Sequence, residues 1–177
     1  MMKKKPREYY IIDGYNVINS WPELIKLRNN LDEARDTLIH MLSEYGAYER
    51  YEMIVVFDAL FTEDEEHVEK VHDHFMVVYT GKGETADSYI ERNAYDYVRM
   101  GKEVHVVTSD GAEQSVILGA GAYRHPSKEF HQMLKRAKKE VRKGYLDKPT
   151  FPISRNEISS HLDAETLAKL DALRKMK

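Results

Sequence analysis

The sequence predicts a three-layer α/β/α fold with a mainly parallel central sheet and a helical extension at its C-terminal end. Three observations lead there. Short apolar runs of strand length alternate with longer stretches of helical period, the pattern that builds a parallel sheet covered on both faces. The run MIVVFD (Met53 to Asp58) is continuously apolar and rich in β-branched residues, as a strand buried on both sides must be. An acidic residue also stands at or just beyond the end of several apolar runs: Asp13, Asp58 and Asp110.

Taken in order, YYIID (Tyr9 to Asp13) is the first strand; it breaks at Gly14, with Asn16 in the turn. Trp21-Pro22 precedes an amphipathic helix from about Leu31 to Tyr48, in which Leu31, Ala34, Leu38, Met41, Leu42 and Tyr45 recur at spacings of three and four. Met53 to Asp58 follows as a buried strand. The stretch from Thr62 to Asp73 reads as an acidic loop, and Phe75 to Tyr79 as the third strand. Thr80-Gly81-Lys82-Gly83 is a flexible connector into a helix from about Glu84 to Met100, for which Gly101 is a natural stop. Val104 to Val107 is the fourth strand, Ser109-Asp110-Gly111 leads a helix to about Leu118, and Ala122 to Arg124 is a short fifth strand. A basic helix comes next. Gly144-Tyr145, Lys148-Pro149 and Pro152 read as a linker, and Asp163 to Lys175 as a last amphipathic helix docked on the domain. The expected division is a domain over residues 1–143 and a linker with a terminal helix over 144–177.

The chain of 177 residues suits one domain with a short appendage. It has no Cys, which excludes a disulfide framework and thiolate metal sites. No apolar stretch is long enough to span a bilayer. The N-terminal MMKKKPREYY is basic, but the apolar run behind it is short and ends in Asp13, so it reads as a strand and not a signal peptide. The expected compartment is the cytoplasm. The net charge of −3 conceals a segregation. Lys128, Lys135, Arg136, Lys138, Lys139, Arg142 and Lys143 face only Glu129 and Glu140, whereas the stretch from Thr62 to Asp73 is dominated by carboxylates. One basic face suits a phosphate backbone; a solvated lysine-rich helix explains it equally well. His125 and His131 flank that helix, as RNA contacts or as solvated side chains.

In a parallel α/β sheet, ligands bind at the carboxyl ends of the strands. Asp13, Asp58 and Asp110 would converge there, joined by Asp87 on the first turn of the helix after GKGETA. Clustered hard oxygens suit Mg²⁺ or Mn²⁺, ions that most often serve phosphate chemistry. Each residue also has a bland explanation. Asp13 and Asp110 are ordinary helix caps, Asn16 an Asx-turn residue, and acids at Glu84 and Asp87 favour a helix dipole. Glu84, Asp87 and Glu91 lie on one helical face by spacing, and Glu113 falls one turn after Asp110. Acidic caps at several strand ends of one sheet are less expected by accident than one shared site. GxSxG, Walker A and GxGxxG patterns are absent, which disfavours serine hydrolases, P-loop NTPases and dinucleotide folds.

Asp13-Gly14-Tyr15-Asn16, followed in order by VVFDA, GETAD and TSDG, resembles the NYN branch of PIN-like nucleases, and within it the YacP-like ribosome-associated endoribonucleases. The likeness runs from about Tyr9 to Val141. It implies a PIN-like, Rossmann-like fold and Mg²⁺- or Mn²⁺-dependent cleavage of mRNA on the ribosome. By the same resemblance, Asp13, Asp87 and Asp110 form the acidic metal centre, with Asn16, Asp58, Glu84 and Glu113 in support. Lys135, Lys138, Lys139, Arg142 and Lys143 are the expected RNA-binding residues. A PIN-like module that binds RNA or the ribosome without cutting is the chief alternative. A small-molecule phosphohydrolase is disfavoured by the lack of a DxD motif and a cap domain.

Overall fold

The computed structural model describes residues 6–59, 65–111 and 117–146. The chain divides into two compact units, Met1–Lys139 and Glu140–Lys177. Of the second, the described part is residues 140–146, which are helical. Glu113, the remainder of the segment after Gly111 up to Ile117, and the expected terminal helix lie outside the described residues.

The elements are β1 (Tyr9–Asp13), α1 (Gly14–Ile18), α2 (Pro22–Ile25), α3 (Leu31–Glu49), β2 (Glu52–Phe57), β3 (His67–His72), β4 (Phe75–Tyr79), α4 (Ala86–Arg99), β5 (Val104–Val107), β6 (Tyr123–His125) and α5 (Ser127–Leu146). The strands form one sheet in the order β3-β4-β2-β1-β5-β6. Every pairing is parallel except β3 with β4. β1 is central. The chain moves outward from β1 through β2 to β4, then crosses back to lay β5 on the other flank of β1. That reversal makes the carboxyl end of β1 and β5 the topological switch point, where open α/β sheets hold their ligands.

The two-residue period of the strands sorts the core into two layers. Tyr10, Ile12, Met53, Val55, Phe57, Phe75, Val77 and Val107 pack on one face with α1, α2, α3 and the start of α5. Ile11, Ile54, Val56, Val78, Val104 and Val106 pack on the other with α4. Trp21, Phe130 and Leu38 are completely buried in the first layer. α3 begins on an Asn30 cap and ends on Arg50, whose left-handed backbone (φ 65°) closes the helix.

Four sequence expectations shift. Part of the supposed acidic loop is β3, an exposed antiparallel edge strand whose pattern HVEKVH carries charge instead of an apolar face. Charged edges of this kind deter pairing with other chains, and that polarity hid the strand. Pro22 opens the short α2, at the first helical position where its missing N–H costs nothing. Thr85 caps α4, so Glu84 precedes the helix and does not lie on its face. α5 continues to Leu146, through the Gly144-Tyr145 expected as linker.

Candidate metal centre at the carboxyl edge

Asp13 is the last residue of β1 and the N-cap of α1; its Oδ1 accepts from the Asn16 backbone N–H at 3.0 Å. The cap is real, but it does not exhaust the residue. Burial, opposed in part by that hydrogen bond and reinforced by Asp87, then Asp58, then Asp110, pushes the Asp13 carboxyl up from 3.8 to about 6. The same three carboxylates named from strand ends and GETAD therefore act on Asp13 through space. A half-desolvated carboxylate facing three others lacks positive charge, and a cation would relieve it.

Gly14 is fixed by packing. A Cβ there would stand 2.3 Å from Cε1 of the buried Phe57 ring, so only glycine lets α1 start directly above β2. Tyr15 lays its ring edge on Phe57 and its hydroxyl accepts from Arg35 Nη1 at 2.7 Å, while Arg35 also pairs with Asp32.

Asn16 is a brace. Its Oδ1 accepts from the Ser109 N–H at 3.0 Å and from the Ser127 hydroxyl at 2.6 Å. Ser127 in turn donates its N–H to Ser109 Oγ (3.1 Å) and receives Trp21 Nε1 on its carbonyl (2.8 Å). The loop that carries Asp110 after β5 is thus tied to β1 and to the start of α5. Thr108, completely buried, accepts the Asp110 N–H on its hydroxyl at 3.1 Å. Sequence reasoning gives Ser127 and Trp21 no part in the site; their signal, a polar residue opening a helix and a lone Trp, is too common to be read alone.

Asp58 follows β2, and its Oδ2 accepts from the Ala86 N–H at 3.4 Å, across to the first turn of α4 where Asp87 sits. Thr80, just past β4, steadies the residue after Asp58 by accepting the Ala59 N–H at 3.1 Å. Asp58 thereby ties the end of β2 to the start of α4. Glu84 is drawn elsewhere: its carboxylate pairs with Arg92 Nη1 at 2.9 Å.

The donor set fits a hard divalent cation: carboxylate oxygens of Asp13, Asp87, Asp58 and Asp110, with no sulfur or imidazole among them. The four aspartates are not drawn into a tight cage, however. Among the described residues, the group of three or more acidic or imidazole side chains whose ligand atoms all lie within 4.8 Å of one another is Glu8, Glu103 and His105, at the opposite edge of the sheet.

The basic residues of α5 are exposed, including Lys135, Arg136, Lys138, Lys139, Arg142 and Lys143, while Phe130, Leu134 and Ala137 are buried. His131 is not at the surface with them. It is buried, stacked on Trp21 at 4.7 Å, with Nε2 against Glu23 Oε1 at 2.7 Å. His125 lies in β6 against His105. Both histidines serve packing and hydrogen bonding within the protein, neither being a solvated flank of the helix. No helix among the described residues is long and apolar enough to cross a membrane.

Comparison with known proteins bears on the family and the fold. The family profile of the YacP-like NYN domain matches residues 10–175. The protein YacP of Bacillus subtilis (strain 168), itself uncharacterised by name, is 38% identical over 152 residues, covering 83% of this chain and 89% of that one. Two crystal structures of Rae1 (YacP) from Bacillus subtilis superpose with TM-scores of 0.68. One, of a single-substitution mutant, is 30% identical over 94% of this chain and 99% of its own; the other is 31% identical over 96% and 95%. The fold is the PIN-like one of those structures, and the NYN group implies ribonuclease activity. With the family profile spanning nearly the whole chain, the protein belongs to the YacP-like NYN domain family.

Proposed function

We propose that this protein is a metal-dependent endoribonuclease that hydrolyses RNA phosphodiester bonds, acting on mRNA in association with the ribosome and hence in the cytoplasm. The observation that carries the reading is the placement of Asp13 at the switch point of the sheet, near enough to Asp87, Asp58 and Asp110 that they add to burial in pushing its carboxyl up to about 6. A structural cap does not require three further carboxylates near enough to raise its pKa.

In this reading Asp13, Asp87 and Asp110 hold Mg²⁺ or Mn²⁺. When bound, the ion supplies a water of lowered pKa and neutralises charge developing on the phosphate. The chain's own residues do the rest. Asp58 fixes the first turn of α4 and so the position of Asp87, and Asn16 fixes the loop of Asp110. Lys135, Lys138, Lys139, Arg142 and Lys143 supply positive charge for the RNA backbone, whose phosphates the aspartates alone would repel. Glu84, paired with Arg92, supports the α4 entrance. Glu113 remains a supporting candidate on sequence grounds.

The test is an RNA cleavage assay on free RNA and on translating ribosomes, with Mn²⁺, Mg²⁺ or chelator. Internal cleavage that requires the divalent ion, and is greater on ribosome-bound mRNA, is the expected result. Binding of RNA or ribosomes with no cleavage under any of these conditions would instead identify a binding module.

A further inference from the structure

The amino edge of the sheet carries a second group of ligating atoms. Glu8 precedes β1 and Glu103 precedes β5, and the Tyr9 N–H donates to the Glu103 carbonyl at 2.9 Å. The register pairs Tyr10 with His105. The two-residue period therefore turns Glu8, Tyr10, Glu103 and His105 to one face. His105 Nε2 stands 3.6 Å from Glu8 Oε2 and 3.4 Å from Glu103 Oε1, and all three ligand atoms lie within 4.8 Å of one another.

The imidazole at the centre is 8% exposed, and its buried Nε2 makes no hydrogen bond. Two features hold the ring in place. Nδ1 is 2.9 Å from His125 Nε2, and the ring stacks between Tyr10 (4.6 Å, 7° between planes) and Tyr123 (5.0 Å, 22°). When Nδ1–H donates to His125, Nε2 presents its lone pair to the two carboxylates. A second nitrogen fixed by a hydrogen bond is what orients ligating histidines.

Two ordinary explanations fit less well. A buried neutral histidine does not need two carboxylates at its bare nitrogen. An imidazolium shared by two glutamates would draw to about 2.7–2.9 Å, the usual length of such charged hydrogen bonds, and neither contact is that short. Ligands about 2.0–2.1 Å from a tetrahedral ion stand about 3.3–3.4 Å from one another, close to the observed separations. The mixed imidazole and carboxylate set matches Zn²⁺ and differs from the all-oxygen set at the other edge. Glu103 is half exposed and gives the group its side toward solvent.

We propose that Glu8, Glu103 and His105 form a second divalent cation site, of Zn²⁺ type, that clips the start of β1 to the start of β5. A five-residue strand separates it from Asp13 by about 15 Å, so it is independent of the chemistry proposed for the aspartates.

The full-length chain carrying Asp13→Asn and Asp87→Asn, stripped of metal, removes the aspartate centre from the measurement. Titration with Zn²⁺ alone, followed by calorimetry and by NMR of the histidine ring nitrogens, should show one ion per chain and a shift of the His105 Nε2 resonance. Adding Glu103→Gln, an exposed change that the fold tolerates, should weaken binding at least about tenfold; Glu8→Gln should do the same. Three results would each overturn the site: no saturable uptake, unchanged affinity in either Gln variant (as expected if His67, His72 and His74 bind the ion instead), or a proton on His105 Nε2 throughout the titration.

Discussion

The two edges of the sheet gather carboxylates in different ways. At the carboxyl edge, Asp13 and Asp58 accept backbone N–H groups and stand among other aspartates, and burial, reinforced by those neighbours against the Asn16 N–H, pushes the Asp13 carboxyl up to about 6. At the amino edge, Glu8 and Glu103 face a buried imidazole clamped between two tyrosines. The difference is one of donor chemistry. Hard oxygens alone, at a topological switch point, suit an ion that keeps waters and meets phosphate; a mixed imidazole and carboxylate set on strand starts suits an ion of Zn²⁺ type. Acidity by itself therefore does not tell the two edges apart; the carboxyl edge differs in that its carboxylates gather where the strand order reverses.

The largest effect expected from breaking this contrast is on cleavage. Asp13→Asn or Asp87→Asn should lower RNA cleavage by about a hundredfold or more, since losing even the hydrogen-bond partner of a metal ligand costs about 10–100-fold, whereas Glu103→Gln should leave the rate unchanged. Rates measured side by side at saturating Mn²⁺ decide it; equal losses at both edges would erase the distinction.

Gly14→Ala attacks the carboxyl edge through packing. With 2.3 Å between the new Cβ and a Phe57 ring that has no room to move, it should cost about 3 kcal/mol, the upper range for overpacking. A fall in the urea midpoint at constant m measures it, and a wild-type midpoint would show that α1 can shift.

Asp13 makes a prediction of opposite sign. Its folded-state value, raised from 3.8 to about 6, means that folding favours the protonated form. The associated stability is present below about pH 4 and is lost as pH rises through 6. Moving a carboxyl over that range corresponds to at most about 3 kcal/mol. Asn keeps the cap but does not titrate. Metal-free Asp13→Asn should therefore be more stable than wild type at pH 7 and equal to it near pH 4, with Mg²⁺ narrowing the gap by stabilising wild type alone. Thermal melts at the two pH values test this, and a destabilised mutant at pH 7 would refute it.

The smallest effect concerns the basic helix. Reversing the charges of Lys138, Lys139 and Arg142 should weaken RNA binding and reduce the slope of log affinity against log salt by up to about two. An unchanged slope would return α5 to a merely solvated surface.

Much of the carboxyl edge is legible in the sequence because its signals are local. Asp13, Gly14 and Asn16 sit within one turn, and the run Met53 to Asp58 could only be a buried strand. The sequence does not disclose why Gly14 is glycine, since Phe57 meets it only in the fold. Nor does it show Asn16 reaching Ser109 and Ser127, or Arg92 drawing Glu84 away. β3 escapes notice because an exposed edge strand carries no apolar alternation. The amino-edge group is invisible because Glu8 and Glu103 precede their strands and are joined only by the β1–β5 register.

The most direct test of the central claim compares cleavage of one RNA by wild type and Asp13→Asn as Mn²⁺ is titrated into metal-free protein. Wild-type cleavage should rise with the ion and saturate, and the mutant should stay near background throughout. Cleavage by wild type that ignores the ion, or a mutant that matches it, would contradict an aspartate metal centre at the carboxyl edge.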